Sequence, residues 1–296
     1  MSVPAAYLSI IMIWSTTPLA IKWSTQDAGF AFAVVSRMVV GLAVATSIIA
    51  IWRIGLPLHR RACKSYLAGG LALFGSMTLT YWGSQYIHSG LVSVLFGLSP
   101  LVTGLLALVW LKEPLTLAKL AGTLLGLVGL VVIFGDGEAS IGRHAADGIM
   151  AVLMAVTFQA AGLVWVKRIN DDSHPLATTA GTLVISLPLF VFVWWLSDGH
   201  IPITLSTRAS IAIVYLGVFG SVLGFAFYYH VIKHMEAGKV SLITLVTPVL
   251  ALLLGGLFND ESVSRQVWLG TACIGLGLGV YQWQTLSNLL VTRKKP

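Results

Sequence analysis

The chain has 296 residues, 57% hydrophobic and only 10% charged, with a mean hydropathy of +0.88. A soluble domain carries about 25% charged residues, so an ordinary cytosolic enzyme is excluded, and so is disorder, which needs low hydrophobicity and high charge. The net charge of +7 and pI of about 9.5 would suggest nucleic acid in a soluble protein, but here Lys and Arg fall almost entirely in short gaps between apolar runs.

Apolar runs bounded by charge, Gly or Pro predict ten spans, at 3–22, 29–52, 65–87, 90–111, 116–134, 148–167, 175–197, 207–232, 238–258 and 264–284. Each is close to the ~20 residues that a membrane helix needs, and the runs are continuous, whereas barrel strands alternate over ~10. The fold class is therefore all-α, a polytopic membrane protein with ten transmembrane helices. The first run, Val3 to Ile21, lacks a basic leader and a small-x-small cleavage site, so it is expected to be a retained span. Trp23, Trp52, Trp82, Trp110, Trp165, Trp194, Trp195, Trp268 and Trp283 sit near span ends, where indole favours the headgroup zone; Trp14 alone is mid-span.

Cations set the direction. With the N-terminus inside, thirteen cations lie inside: Arg53, Arg60, Arg61, Lys64, Lys112, Lys119, Lys167, Arg168, Lys233, Lys239, Arg293, Lys294 and Lys295. Only four lie outside: Lys22, Arg143, Arg208 and Arg265. Both termini are thus expected in the cytoplasm, and nucleic acid is not an expected partner. Cys63 and Cys273 form no disulfide framework and have no metal-type spacing.

Shifting the chain on itself by 148 residues aligns Gly90–Val132 with Gly238–Val280 without a gap, with twelve identities that include Gly90/Gly238, Ser93/Ser241, Pro100/Pro248, Glu113/Glu261, Gly122/Gly270 and Gly129/Gly277. The same shift pairs Tyr81 with Tyr229 and Gly69 with Gly217. A duplication places five spans in each half, and an odd number of crossings inverts the second half, an arrangement found in secondary transporters. The predicted organisation is a first five-helix repeat at 1–134, a polar periplasmic linker at 135–147, a second repeat at 148–284 and a basic cytoplasmic tail at 285–296.

Trp14-Ser15-Thr16-Thr17-Pro18 followed by Ile21-Lys22, Ser36-Arg37 in span 2, Ser99-Pro100 with Lys112-Glu113-Pro114, and Thr247-Pro248 with Glu261 together resemble the EamA-type transporters of the drug/metabolite transporter superfamily. The resemblance covers essentially the whole chain. It implies a bacterial inner-membrane carrier of ten helices in two inverted five-helix repeats, usually exporting amino acids or other small metabolites. Aromatic amino acid exporters and threonine/homoserine exporters are both similar in outline. Span 7 has no counterpart to Arg37, so that residue's role is not extended to the second half.

Polar residues inside apolar spans are the functional candidates, because hydrocarbon leaves them unsatisfied. Arg37 can pair with a substrate carboxylate or a helix C-terminal carbonyl; equally, it can snorkel or clamp a neighbouring helix. Pro100 and Pro248 hold equivalent mid-span positions and free the carbonyls of Phe96 and Thr244, beside Ser99 and Thr247; Pro18 frees that of Trp14. Trp14 with Pro18, and Tyr81 with Gln85, share helix faces at i,i+4. Together with Ser93, Gln159, Tyr229 and Ser241, they compose a candidate wall for an amphipathic organic substrate. The alternative is core packing plus interfacial tyrosines.

Span interiors hold no Asp or Glu, so a buried carboxylate proton relay is not expected. Glu113 is expected to accept from the N-terminal amides of the next helix, and Glu261 to do the same on the opposite face. Gly122, Gly126 and Gly129, and Gly275, Gly277 and Gly279, predict close helix packing in spans 5 and 10, as scaffold or homodimer contacts. His230 and His234 have metal-like spacing without a third ligand, and no cofactor or metal site is expected. Neither a hydrolase nor a phosphate-loop motif is present, so catalysis and ATP-driven pumping are not expected of this chain. The expected partners are a small-molecule substrate and the lipid bilayer. Uptake, nucleotide-sugar carriage, an intramembrane enzyme and a channel stand as alternatives.

Overall fold

The computed structural model describes residues 2–111, 116–134, 144–197, 199–234, 243–261, 263–281 and 283, and among these every regular element is helical. In chain order the helices are α1 (Val3–Ala28), α2 (Phe30–Ile51), α3 (Arg60–Gly83), α4 (Ser89–Phe96), α5 (Ser99–Leu111), α6 (Leu117–Phe134), α7 (Ala145–Ile169) and α8 (Pro175–Ser197). There follow α9 (Thr207–Tyr215), a π-helical segment (Leu216–Leu223), α10 (Gly224–His234), α11 (Ile243–Asn259) and α12 (Arg265–Tyr281). Val3–Ala28, Phe30–Ile51, Ser89–Trp110, Ala145–Ile169, Pro175–Ser197 and Thr207–Tyr228 are six segments long and apolar enough to cross a bilayer, and Leu117–Ile133 and Val246–Asn259 are shorter apolar helices.

Span 4 departs from the expected single kinked helix. The chain breaks at Gly97–Leu98, where the amide of Leu98 bonds back to the Leu95 carbonyl at 3.0 Å in a tighter turn. Pro100 is therefore the second residue of α5, a place where its missing N–H costs nothing. Its mate Pro248 stays inside the continuous helix α11, as Pro18 stays inside α1. The two symmetric prolines thus do different things: Pro248 removes a donor from an unbroken helix, and Pro100 starts a new one.

Small residues let the helices close up. An added Cβ at Gly122 would meet the Gly277 carbonyl oxygen, and one at Gly129 would lie 2.6 Å from that of Gly270. Because the 148-shifted mates of Gly122 and Gly129 are Gly270 and Gly277, this α6–α12 seam maps onto itself when the halves are exchanged. Gly69 and Gly217 are likewise used in parallel. The first abuts Thr182 on α8, and the second abuts Val40 and the Arg37 carbonyl on α2. Side chains from both halves fill the cores: α1, α2 and α3 pack with α8, α9 and α10, while α4, α5 and α6 pack with α7, α11 and α12.

Candidate functional site

The centre of the molecule is built around a buried ion. Arg37 on α2 is 2% exposed. Its Nε donates to Ser221 Oγ at 2.9 Å, and its Nη1 makes a longer contact of 3.5 Å with the Tyr81 hydroxyl. The guanidinium carbon also stands 5.9 Å from the Tyr81 ring centroid. Among the described residues Arg37 has no carboxylate partner. A charge in this position is costly unless something neutral or anionic satisfies it, and here two hydroxyls and an aromatic face do part of that.

The π-helical segment explains how Ser221 reaches the ion. Its wider winding carries Gly217, Gly220 and Ser221 onto the side facing α2, and π-helical turns of this kind concentrate at functional sites. A Cβ on Gly220 would lie 3.0 Å from Arg37 Nη2, and one on Gly41 would lie 3.1 Å from the Ser221 Cβ. Glycine at these places is what admits the guanidinium between two helix backbones. On its other side the segment stacks Phe219 against Tyr215, with ring centroids 5.2 Å apart, and the Tyr215 hydroxyl pairs with Thr16 at 2.6 Å. Tyr215 and Phe219 line an open groove of about 430 Å³ on α9 and the π-helical segment and, with Thr16, another of about 460 Å³ that α1 shares; Arg37 lines neither.

The remaining candidates divide. Tyr81 is fully buried against Arg37 and is not an interfacial residue. Trp14 packs on Tyr228 with centroids 5.0 Å apart, where α1 meets α10. Pro18, Ser93 and Pro248 are buried, and Phe96 is half-buried at the end of α4. Gln85 lies past the end of α3, which stops at Gly83, so the helical i,i+4 face shared with Tyr81 does not extend to it; it is exposed and donates to the Trp82 carbonyl at 3.2 Å. Gln159 is half-buried on α7. Ser241 and Glu113, and the side chains of Tyr229 and Thr244, lie outside the described residues. Sequence reasoning missed Ser221, and also Ser76 on α3 and Thr182 on α8, two buried hydroxyls with no hydrogen-bond partner among the described residues. The available signal was the clustering of small residues at Gly217, Gly220 and Ser221.

A second polar cluster ties one end of the bundle. Glu261 was expected to serve the helix that follows it; instead it caps α4, in the other half. Glu261 Oε1 accepts from the Ser89 amide at 3.1 Å, and Oε2 from the Ser89 hydroxyl at 2.8 Å and the Gly90 amide at 3.4 Å. The helix that follows, α12, is capped by Ser264, whose hydroxyl accepts from the Val267 amide at 3.2 Å. Asn259 donates to Glu261 at 2.9 Å and accepts from the Trp23 indole at 3.0 Å, and Arg208 lies 5.0 Å above the Trp23 ring. Lys22 donates to the Ser84 and Ile87 carbonyls at 2.8 and 2.9 Å, satisfying the end of α3. His88, at the entrance to α4, is half-buried, and burial holds its pKa below the usual histidine value; the nearby Glu261 charge opposes this and Lys22 reinforces it. The His230 and His234 rings lie 4.3 Å apart, tilted by 39°, and among the described residues no group of three metal-ligating side chains forms.

The EamA-like transporter family model matches residues 4–135 and again 146–281. This chain belongs to the EamA-like transporter family. YoaV of Bacillus subtilis, named an uncharacterized transporter, is 25% identical over 92% of this chain and 93% of its own length. PagO of Salmonella typhimurium is 22% identical over 99% of this chain and 96% of its own. A probable terminal-alkyne amino-acid exporter of Streptantibioticus cattleyicolor is 25% identical over 98% of this chain and 95% of its own. A solved crystal structure shares the fold, with a TM-score of 0.69 at 21% identity, covering 100% of this chain and 99% of that one. The protein is thus a multi-pass membrane transporter of the EamA family, assembled from two copies of the family's unit.

Proposed function

We propose that this EamA-family protein is a secondary transporter of the bacterial inner membrane that exports amino acids or related small amphipathic metabolites by alternating access. In this reading the chain crosses ten times as two inverted five-helix halves, with both termini in the cytoplasm and no cofactor. One observation carries it. Arg37 is a buried cation held by hydroxyl and aromatic partners and left without a carboxylate among the described residues, which suits the carboxylate of a zwitterionic substrate. The substrate ammonium would turn to carbonyls freed by Pro18 and Pro248, which lie inside unbroken helices. Trp14, Tyr81, Ser93, Phe96 and Pro100, with Gln159, Tyr229, Ser241 and Thr244, complete the proposed wall; Gln85 stands at its outer margin. An amino-acid exporter among the relatives supports the substrate class.

Alternation requires one end to open while the other is shut. The bonds of Glu261 and Asn259 to α4 and α1 join the two halves at one end, so that end is the closed gate of this state. Proteoliposomes carrying the protein are expected to show saturable counterflow of at least one amino acid from a labelled panel. Arg37→Gln should lower that counterflow at least tenfold, with the fold retained in a thermal melt, and Arg37→Lys should restore part of it, since a point charge replaces the guanidinium fork. Absence of counterflow for every amphipathic metabolite tested would sink the proposal.

A further inference from the structure

The opposite end of the bundle from Glu261 carries a corner of unneutralised charge. α3 and α7 run antiparallel, as the pairs Gly83–Gly148, Gly75–Phe158 and Ala72–Gly162 show. Their ends meet where His59 Nε2 lies 3.6 Å from Asp171 Oδ1. His59 Nδ1 accepts from the Ala62 amide and caps α3, while Nε2 faces Asp171, whose side chain is 3% exposed. That pair sets the start of α3 beside the loop after α7. Arg60, Arg61 and Lys64 stand on the opening residues of α3, and Lys167 and Arg168 on the last turn of α7. All five are exposed, and among the described residues none forms an ion pair.

The arrangement is unfavourable taken alone. Five like charges repel, and the three on α3 also sit at the positive end of its helix dipole. Of the two adjoining acids, Asp171 faces His59, and the exposed Asp172 forms no ion pair with any of the five among the described residues. Cations that served only to orient the chain in the membrane need to be on one side of it; nothing requires them to converge on one corner. Below the charges both helices turn apolar on exposed faces. Leu67 and Leu71 follow Lys64 at helical spacing, and Phe158 and Trp165 precede Arg168. The Trp165 ring lies 5.8 Å from that of Trp110 on α5, a pair of exposed indoles of the kind that favours the headgroup zone.

We propose that this corner is a binding site for an anionic phospholipid. The headgroup phosphate is held by Arg60, Arg61, Lys64, Lys167 and Arg168, and the acyl chains lie along the apolar seam between α3 and α7. The site depends on the chain spanning a membrane and not on the identity of the transported substrate.

The test uses full-length detergent-solubilised protein with Cys273→Ser, leaving Cys63, which is exposed within the corner, as a local reporter. Cardiolipin titrated into phosphatidylcholine-containing micelles should raise the melting temperature and slow maleimide labelling of Cys63. Added phosphatidylcholine should do neither. Each cation changed to Gln should weaken the cardiolipin effect about fivefold, so the variant with all five replaced should show none. A matched pair, Arg208→Gln/Arg265→Gln, at the Glu261 end removes as much charge as Lys167→Gln/Arg168→Gln and should respond as the wild type does. If the corner variant does not fold, the milder Lys167→Gln/Arg168→Gln pair gives the same reading at reduced size. A wild type indifferent to cardiolipin, or equal losses in the corner pair and the matched pair, would overturn the proposal.

Discussion

Arg37 is legible in the sequence because a charge inside an apolar run is rare, but its partners are not. A serine or threonine in a membrane helix usually satisfies itself on the carbonyl three or four residues back, as Ser15, Thr16, Thr17 and Thr80 do here. Ser221 looks the same in the sequence and yet turns to Arg37, 184 positions away. The expectation that Arg37 clamps a neighbouring helix and the expectation that it meets a substrate are not exclusive, since it holds the π-helical segment and still lacks a carboxylate among the described residues. His88 supports a prediction at this scale. Burial depresses its folded-state pKa below the ordinary 6.5, so near and below that value the unfolded chain binds more protons than the native one. Its contribution to stability is complete above about pH 6.5 and is lost as the pH falls through the lower, folded value. The melting temperature in detergent is expected to drop between pH 7.5 and 5.5, and His88→Gln should flatten that slope; an unchanged slope contradicts the assignment.

Elements were predicted where periodicity and length suffice, and missed where a break is local. The continuous runs placed α2, α6, α7 and α8 within three residues of their observed ends. The gap at Gly97–Leu98 and the π-helical winding at Leu216–Leu223 leave hydropathy untouched, so apolar runs pass over them. Glu261 shows the same limit. A carboxylate just after a span predicts a helix cap, and the structure supplies one, but the helix served is α4 and not α12, because the chain folds that loop across to the other half. Glu261→Ala orphans the amides of Ser89 and Gly90 and is expected to lower stability by about 1–3 kcal/mol, with Glu261→Gln losing less because its carbonyl still accepts. Thermal melts of the three proteins check the order. Gly255 belongs to the same cap, since a Cβ there would meet Glu261 Oε2 at 2.5 Å.

For the whole molecule, the halves are interlocked, not side by side. Gly122 touches Gly277 and Gly129 touches Gly270; Thr16 bonds Tyr215, Arg37 bonds Ser221, and Ser89 bonds Glu261. In the proposed alternation, motion of one half against the other exchanges these contacts together, and the Glu261 end parts only when water takes up both the carboxylate and the Ser89 and Gly90 amides it caps. Orientation is testable independently of transport. In single-cysteine protein, Cys63 should react with a membrane-impermeant maleimide in inverted membrane vesicles and not in right-side-out cells. The reverse pattern would invert the assignment of both termini.

Composition and repeat were enough to establish a polytopic helical membrane protein built from two related units, because membrane insertion is decided by the average transfer free energy of each run, which simple counting captures. They also marked Arg37, since a buried charge is conspicuous wherever it occurs. What only the tertiary structure decided is who meets whom: Ser221 on Arg37, Glu261 on α4, and five cations gathered at the α3–α7 corner. Those pairings join residues far apart in the chain and depend on close approaches at glycines, where the information lies in the absence of a side chain. Spacing along one helix cannot report a contact whose partner is set by the packing of another.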